Sequence, residues 1–184
     1  MTRYVAFLRG INLGNRRLRM DELRACFEAV GGLARVETFI ASGNVVFDAG
    51  STDARALEAT IEAHLGETLG YDVDTFIRPL SELATIAALG LLPEAGDEPG
   101  WKAHVLFLKE TARDGAEARL GELATEDDRF RVSGRQIYWL RRGGLSDSTL
   151  APGDVERAAG GETGTLRTMN TVRRIVAKFS DGDG

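Results

Sequence analysis

Apolar positions change period several times along the chain, and each change marks a new element. Tyr4–Arg9 (YVAFLR) is a short run of strand formers; Gly10 to Gly14 (GINLG) breaks it, and a basic loop follows. Leu23, Cys26, Phe27 and Val30 then fall on one helical face, which Gly31-Gly32 ends. Val36–Ile40 and Val45–Phe47 are apolar runs joined by Ala41-Ser42-Gly43-Asn44, a hairpin signal. Leu57, Ile61, Leu65 and Leu69 recur at helical spacing, with Thr52 placed to cap them. A strand over Val73–Arg78 and a short helix over Ser81–Leu91 follow. The order β-α-β-β-α-β is the split βαβ, or ferredoxin-like, arrangement.

Pro, Gly and acidic residues crowd positions 93–100 (PEAGDEPG), the best internal boundary. Beyond it the pattern predicts a strand at Ala103–Leu108, a helix at Ala116–Leu123 and a hairpin of Phe130–Ser133 with Gln136–Leu140 around Gly134. A Gly/Ser loop, a short helix near Val155–Ala159 and a last helix over Asn170–Phe179 complete the chain. Tyr4–Arg9 matches His104–Lys109, and Ser42-Gly43-Asn44 matches Ser133-Gly134-Arg135. These likenesses imply a weak internal duplication with a shortened second copy. The expected fold class is α+β: two ferredoxin-like halves, 1–92 and 101–179, whose antiparallel sheets carry helices on one face. A linker at 93–100 and a frayed tail at 180–184 go with this division.

Composition narrows the class. With 43% hydrophobic and 28% charged residues the chain is that of a globular protein. Its one cysteine, Cys26, excludes an internal disulfide and fits a reducing compartment; on an apolar helical face it reads as packing. There is no leader pattern and no apolar stretch of membrane-span length, so the expected location is the cytoplasm, away from membranes. One Cys and two separated histidines make no recognisable metal site. Neither a P-loop nor a dinucleotide fingerprint is present, and no cofactor is expected.

Charge is unevenly spread. The net charge is −5, yet residues 1–19 and 129–146 each hold five arginines and no acid. Residues 163–180 hold Arg167, Arg173, Arg174 and Lys178, again without an acid. Folded onto a common face, these stretches would draw an anion.

The blocks YVAFLRGINLG, MDELR, SGNVVF and TLRTMNTV together resemble the mostly bacterial family catalogued as domain of unknown function 1697 (DUF1697), from Tyr4 to about Ile175. The resemblance implies an α+β fold of ferredoxin-like character and no activity. The usual pattern of the last block looks like Thr-x-Arg-Asn-Trp-x-Thr-Val. Here Thr168 stands for the amide and Met169 for the indole, which puts an aromatic platform at that point in doubt.

Three segments carry candidate chemistry. In the loop after the first strand, Gly10 and Gly14 allow close backbone approach, Asn12 donates and accepts, and Arg9, Arg16, Arg17 and Arg19 supply charge. Ser42 and Asn44 flank Gly43 in the first hairpin; turn chemistry alone accounts for them, and no histidine can be placed beside Ser42 as a base. Arg167 and Asn170 stand near the start of the last helix, where Thr168 or Asn170 is the expected cap. The favoured expectation is a soluble protein that binds a phosphate-bearing ligand, nucleotide or nucleic acid, through the first loop, with Arg9, Asn12, Arg16, Ser42, Asn44, Arg167 and Asn170 as contacts. The alternatives are a small-molecule enzyme built on an Arg/Asn/Ser cleft and a protein-interaction scaffold. No catalytic residue and no oligomeric state can be assigned.

Overall fold

A computed structural model describes residues 1–12, 14, 17–40, 43–51, 53–88, 99–161 and 163–180. The chain divides into two compact units, Met1–Leu83 and Ala84–Gly184. Arg16, Ser42, Thr52, most of the 93–100 linker and all but Ser180 of the predicted tail lie outside the described residues.

The first unit runs β1 (Thr2–Arg9), α1 (Met20–Glu28), β2 (Leu33–Thr38), β3 (Asn44–Ala49), α2 (Ala54–Leu69) and β4 (Asp74–Pro79); the division falls inside α3 (Leu80–Ala88). Its four strands are antiparallel in the order β2-β3-β1-β4, which makes β1 a central strand. That position explains why the middle of β1 is wholly apolar: Val5, Ala6 and Phe7 are all at 0% exposure. Tyr4, Ala6 and Leu8 pack beneath Leu23 and Phe27 of α1 and Ile61 of α2, while Cys26 is only partly buried against this cluster. Helix α2 is capped by Asp53, whose carboxylate accepts the N–H groups of Arg55 and Ala56, and it ends on the left-handed Gly70.

The second unit repeats the plan: β5 (Trp101–Leu108), α4 (Ala116–Leu123), β6 (Asp128–Ser133), β7 (Gln136–Arg142), α5 (Pro152–Ala159), β8 (Gly164–Thr168) and α6 (Met169–Phe179). Its sheet has the order β6-β7-β5-β8, again all antiparallel. Strand β8 (Gly164–Thr168) has no signature in the sequence. Five residues, GTLRT, with one large apolar side chain give no strand signal, and only pairing with β5 makes them one. The second copy is therefore complete in its strands. Thr168, not Asn170, caps α6 by accepting the N–H of Thr171 at 3.1 Å. Met169 is 2% exposed, so that position serves the core and offers no platform.

Strand register fixes how the halves correspond. Tyr4 lies opposite Phe47 and Pro79, and His104 lies opposite Trp139 and Thr168. The match of β1 with β5 is thus in register. The hairpin match needs a shift of one residue: Phe7 pairs with Asn44 as Phe107 pairs with Gln136, so Arg135 and not Gly134 corresponds to Gly43. The bonds from Leu8 N–H to the Gly43 carbonyl and from Leu108 N–H to the Arg135 carbonyl, both 2.8 Å, agree. Arg78, opposite Val5, likewise matches Arg167, opposite Val105; each donates from Nη1 to the carbonyl of the residue before it, at 2.9 Å.

Helix carboxylates guard the sheet edges in both units. Glu58 and Glu62 of α2 accept the N–H groups of Ile77 and Thr75 in edge strand β4, and Glu156 of α5 accepts that of Gly164 in β8. These acids thus belong to the sheet. In the second unit a buried network pins β6 to β7. The Asp128 carboxylate accepts Trp139 Nε1–H at 2.8 Å, Arg141 Nη1–H at 2.6 Å and the Thr125 hydroxyl at 2.9 Å. Replacing Asp128 by Ala strands the Arg141 guanidinium, which is itself 6% exposed. The expected loss of about 3 kcal/mol or more is to be read from chemical denaturation; a loss under about 1 kcal/mol contradicts this account.

Candidate functional site

The first-strand loop and the β2–β3 connection meet at one end of the N-terminal sheet. After Arg9 the chain turns at Gly10 (φ 83), and Ile11 folds back into the core at 4% exposure. Its side chain lies against Gly43: a Cβ built there would stand 2.8 Å from Ile11 Cδ1 and 3.3 Å from Leu8 Cβ. Gly43 also has φ 72, so backbone shape disfavours any larger residue and the Ile11 tip would have to move for one. The RGIN and SGN blocks are therefore two sides of one contact.

Their asparagines hold that contact in place. Asn12 Oδ1 accepts the N–H of Leu18 at 2.9 Å, closing the loop on itself. Asn44 is fully buried; its Nδ2 donates to the Phe39 carbonyl, and its own carbonyl accepts Phe39 N–H, both at 2.9 Å. The Tyr71 hydroxyl reaches the Ile11 carbonyl at 3.4 Å. Arg9 and Arg17 are exposed on the outside of the loop. Arg19 is engaged with the Asp21 carboxylate through Nε and Nη2, while Glu22 accepts its backbone N–H. Beside the loop, Ile40 is exposed with φ 58, a conformation strained for a β-branched side chain.

Arg167 and Asn170 belong to the other unit. Arg167 stands in β8 just ahead of Thr168, the cap of α6, bonded to Thr165 Oγ1 at 2.8 Å and to the Leu166 carbonyl, and burial pushes its pKa down to about 10. Asn170 is exposed in the first turn of α6. The arginines of 129–146 divide between the two faces of their sheet. Arg141 is turned inward to Asp128, whereas Arg129, Arg131 and Arg142 take the face opposite α4 and α5. On that face Trp101 carries two guanidinium groups, Arg129 at 4.6 Å and Arg142 at 4.9 Å from its ring centre. Sequence patterning alone missed this group, because Trp101 stands at a strand start beside a Gly/Pro segment and its partners lie on two other strands.

One further charged cluster occupies the N-terminal sheet. Asp48, 3% exposed, accepts from Arg3 at 3.1 Å and from Arg35 Nε. Arg3 also bonds Glu37 at 2.9 Å and the Arg35 carbonyl at 3.0 Å. Arg35 has φ 46, where the register of β2 on β3 slips between Ala34 and Glu37. Burial by itself raises the Asp48 pKa, but the bonds and charges of Arg35 and Arg3 outweigh it and hold the carboxyl below its usual range. Among the described residues no three His, Cys, Asp or Glu side chains gather to hold a metal, and no helix among them is long and apolar enough to cross a membrane.

The topology of both units defines an α+β protein of tandem ferredoxin-like repeats, with a glycine- and arginine-bearing loop pair at one end of the first sheet. The chain belongs to the family described as protein of unknown function DUF1697, whose pattern matches residues 1–138. It is similar in fold to the solved structure of the conserved bacterial protein SP0830 from Streptococcus pneumoniae. That likeness covers 98% of this chain and 99% of that one, at a TM-score of 0.72 and 24% identity. No curated protein matches the chain.

Gly43→Ala forces a left-handed Ala against Ile11 and Leu8, and a stability loss of about 2 kcal/mol is expected by urea titration. An unchanged midpoint speaks against the close approach. The Asp48 carboxylate has a lower pKa folded than unfolded, so its stabilisation is present above the unfolded value and is lost as pH falls through the folded one. Asp48→Asn is accordingly less stable than the parent at neutral pH, and the gap closes below about pH 3.9. A gap that stays constant from neutral pH down through that range would show that the charge is not what stabilises.

Proposed function

We propose that this protein binds an anionic, phosphate-bearing ligand, a nucleotide or a nucleic-acid segment, at the loop pair of the N-terminal unit. The supporting observation is the docking of Ile11 on Gly43, which fixes a loop that carries exposed Arg9 and Arg17. Asn12 and Asn44 act here as braces, since their amides already serve the backbone. Ligand contact then falls to the guanidinium groups and to the loop backbone, where Gly10 and Gly14 both take positive φ. A guanidinium meets phosphate oxygens through paired in-plane N–H groups, and holding the loop in advance lowers the ordering cost of binding. The strained, exposed Ile40 stands at the rim, in keeping with strain retained where a ligand is met.

Calorimetric titration with nucleoside triphosphates and short oligonucleotides tests this reading. Saturable binding is expected, and Arg9→Ala with Arg17→Ala should weaken it at least tenfold, as the loss of one charge-assisted bond of about 1.5 kcal/mol would do. Asn12→Ala should instead lower the melting temperature. Absence of heat with every phosphate compound, or affinity indifferent to both arginines, removes the proposal.

A further inference from the structure

The Arg129–Trp101–Arg142 stack in the C-terminal unit goes beyond a single cross-strand pair, since it sets a second guanidinium from another strand over the same ring. Strand β6 is an edge strand, and arginines there keep a second sheet from pairing with it. That accounts for Arg129 and Arg131 but not for a half-buried Trp beside them. The ring lies in reach of guanidinium groups from two different strands: Arg142, its register partner on β7, and Arg129 on β6, a strand that does not pair with β5. A cation over an aromatic face is attracted to it. The ring therefore offsets the repulsion of two like charges held close together. Stacking engages only the flat face of each guanidinium and leaves its in-plane N–H groups available to phosphate oxygens.

Strand geometry extends the array. Arg131 lies two residues beyond Arg129 on the same side of β6, roughly 6.7 Å along the edge. Arg131 and Arg142 are exposed, and Arg129 is half-buried. Of the nearby acids, Asp128 is buried and neutralised by Arg141, Asp127 pairs with Arg142 at 3.7 Å, and Glu117 accepts the Val132 N–H of the edge at 3.0 Å, so Arg129 and Arg131 carry most of the uncompensated charge. Three guanidinium groups share one side of this sheet on a chain whose net charge is −5.

From this juxtaposition we infer that the β6 edge of the C-terminal sheet binds single-stranded nucleic acid. Arg129, Arg131 and Arg142 take successive phosphates, and an unpaired base takes the place of a guanidinium over Trp101. Duplexes do not suit the edge, because their bases are already stacked and an aromatic side chain adds nothing to them. The inference rests on residues of the C-terminal unit alone and holds or fails without the N-terminal loop pair.

Fluorescence anisotropy of a short labelled mixed-sequence strand, titrated with the full chain at several salt concentrations, tests the inference. Saturable binding at low salt is expected. Arg129→Ala with Arg142→Ala should weaken it more than tenfold and lower the salt slope by about 1.4, at roughly 0.7 per phosphate lost. Trp101→Leu, which keeps every charge, should weaken it roughly tenfold through lost stacking. Arg9→Ala with Arg17→Ala should leave it unchanged, which separates this surface from the loop. Should the double arginine variant not fold, Arg131→Ala alone, on an exposed side chain, carries the same test with a smaller loss. No binding at low salt overturns the inference. So does equal affinity for an abasic strand, a duplex or inorganic polyphosphate, and so does indifference to Trp101→Leu; Arg129 and Arg131 are then edge guards alone.

Discussion

The end of β1 is where the N-terminal unit is most tightly specified. Ile11 enters the core after a reversal at Gly10, and a side chain at residue 43 would press on its Cδ1 and on Leu8 Cβ. Burying an Ile contributes about 1.5–3 kcal/mol, and the bond from Leu8 N–H to the Gly43 carbonyl aligns the hairpin with β1 at the same place. Asn12 and Asn44 then close the two loops with their amides. What remains for a ligand is the outer rim, where the arginines are.

Duplication explains much of the rest. Each unit places a strand with an apolar middle in the interior of a four-stranded antiparallel sheet, pins an edge strand with a helix carboxylate and sets an arginine one residue before the end of that edge strand, ahead of a helix. Arg78 and Arg167 keep the same bond to the preceding carbonyl in both copies. Burial of a guanidinium is costly, so its retention at equivalent positions marks a shared constraint of the repeat. The copies differ where charge is concerned. Asp48, braced by Arg3 and Arg35, corresponds by register to Leu140, whereas Asp128 and Arg141 lie inside the second copy only.

Legibility followed the strength of local signal. Central strands and long amphipathic helices were readable because burial on both faces, or at helical spacing, leaves dense apolar runs. Strand β8 was not, since its five residues owe their extended form to β5. The hairpin correspondence was off by one because Gly134 and Gly43 look alike in sequence, while register aligns Gly43 with Arg135. The arginines of 129–146 read as one basic stretch, yet strand alternation sends Arg141 to Asp128 and Arg129 to Trp101.

By itself, the sequence determined the alternation of strand and helix, the ferredoxin-like order of the first half, the kinship of the two halves and the family. Those follow from periodicity and turn chemistry, which act over a few neighbouring residues. The tertiary structure alone decided which polar residues are braces and which face solvent, that Asn44 is buried while Arg9 is exposed, and that Trp101 gathers arginines from two strands. Such outcomes depend on groups far apart in the chain being brought within a few ångströms, and local pattern carries no record of that distance.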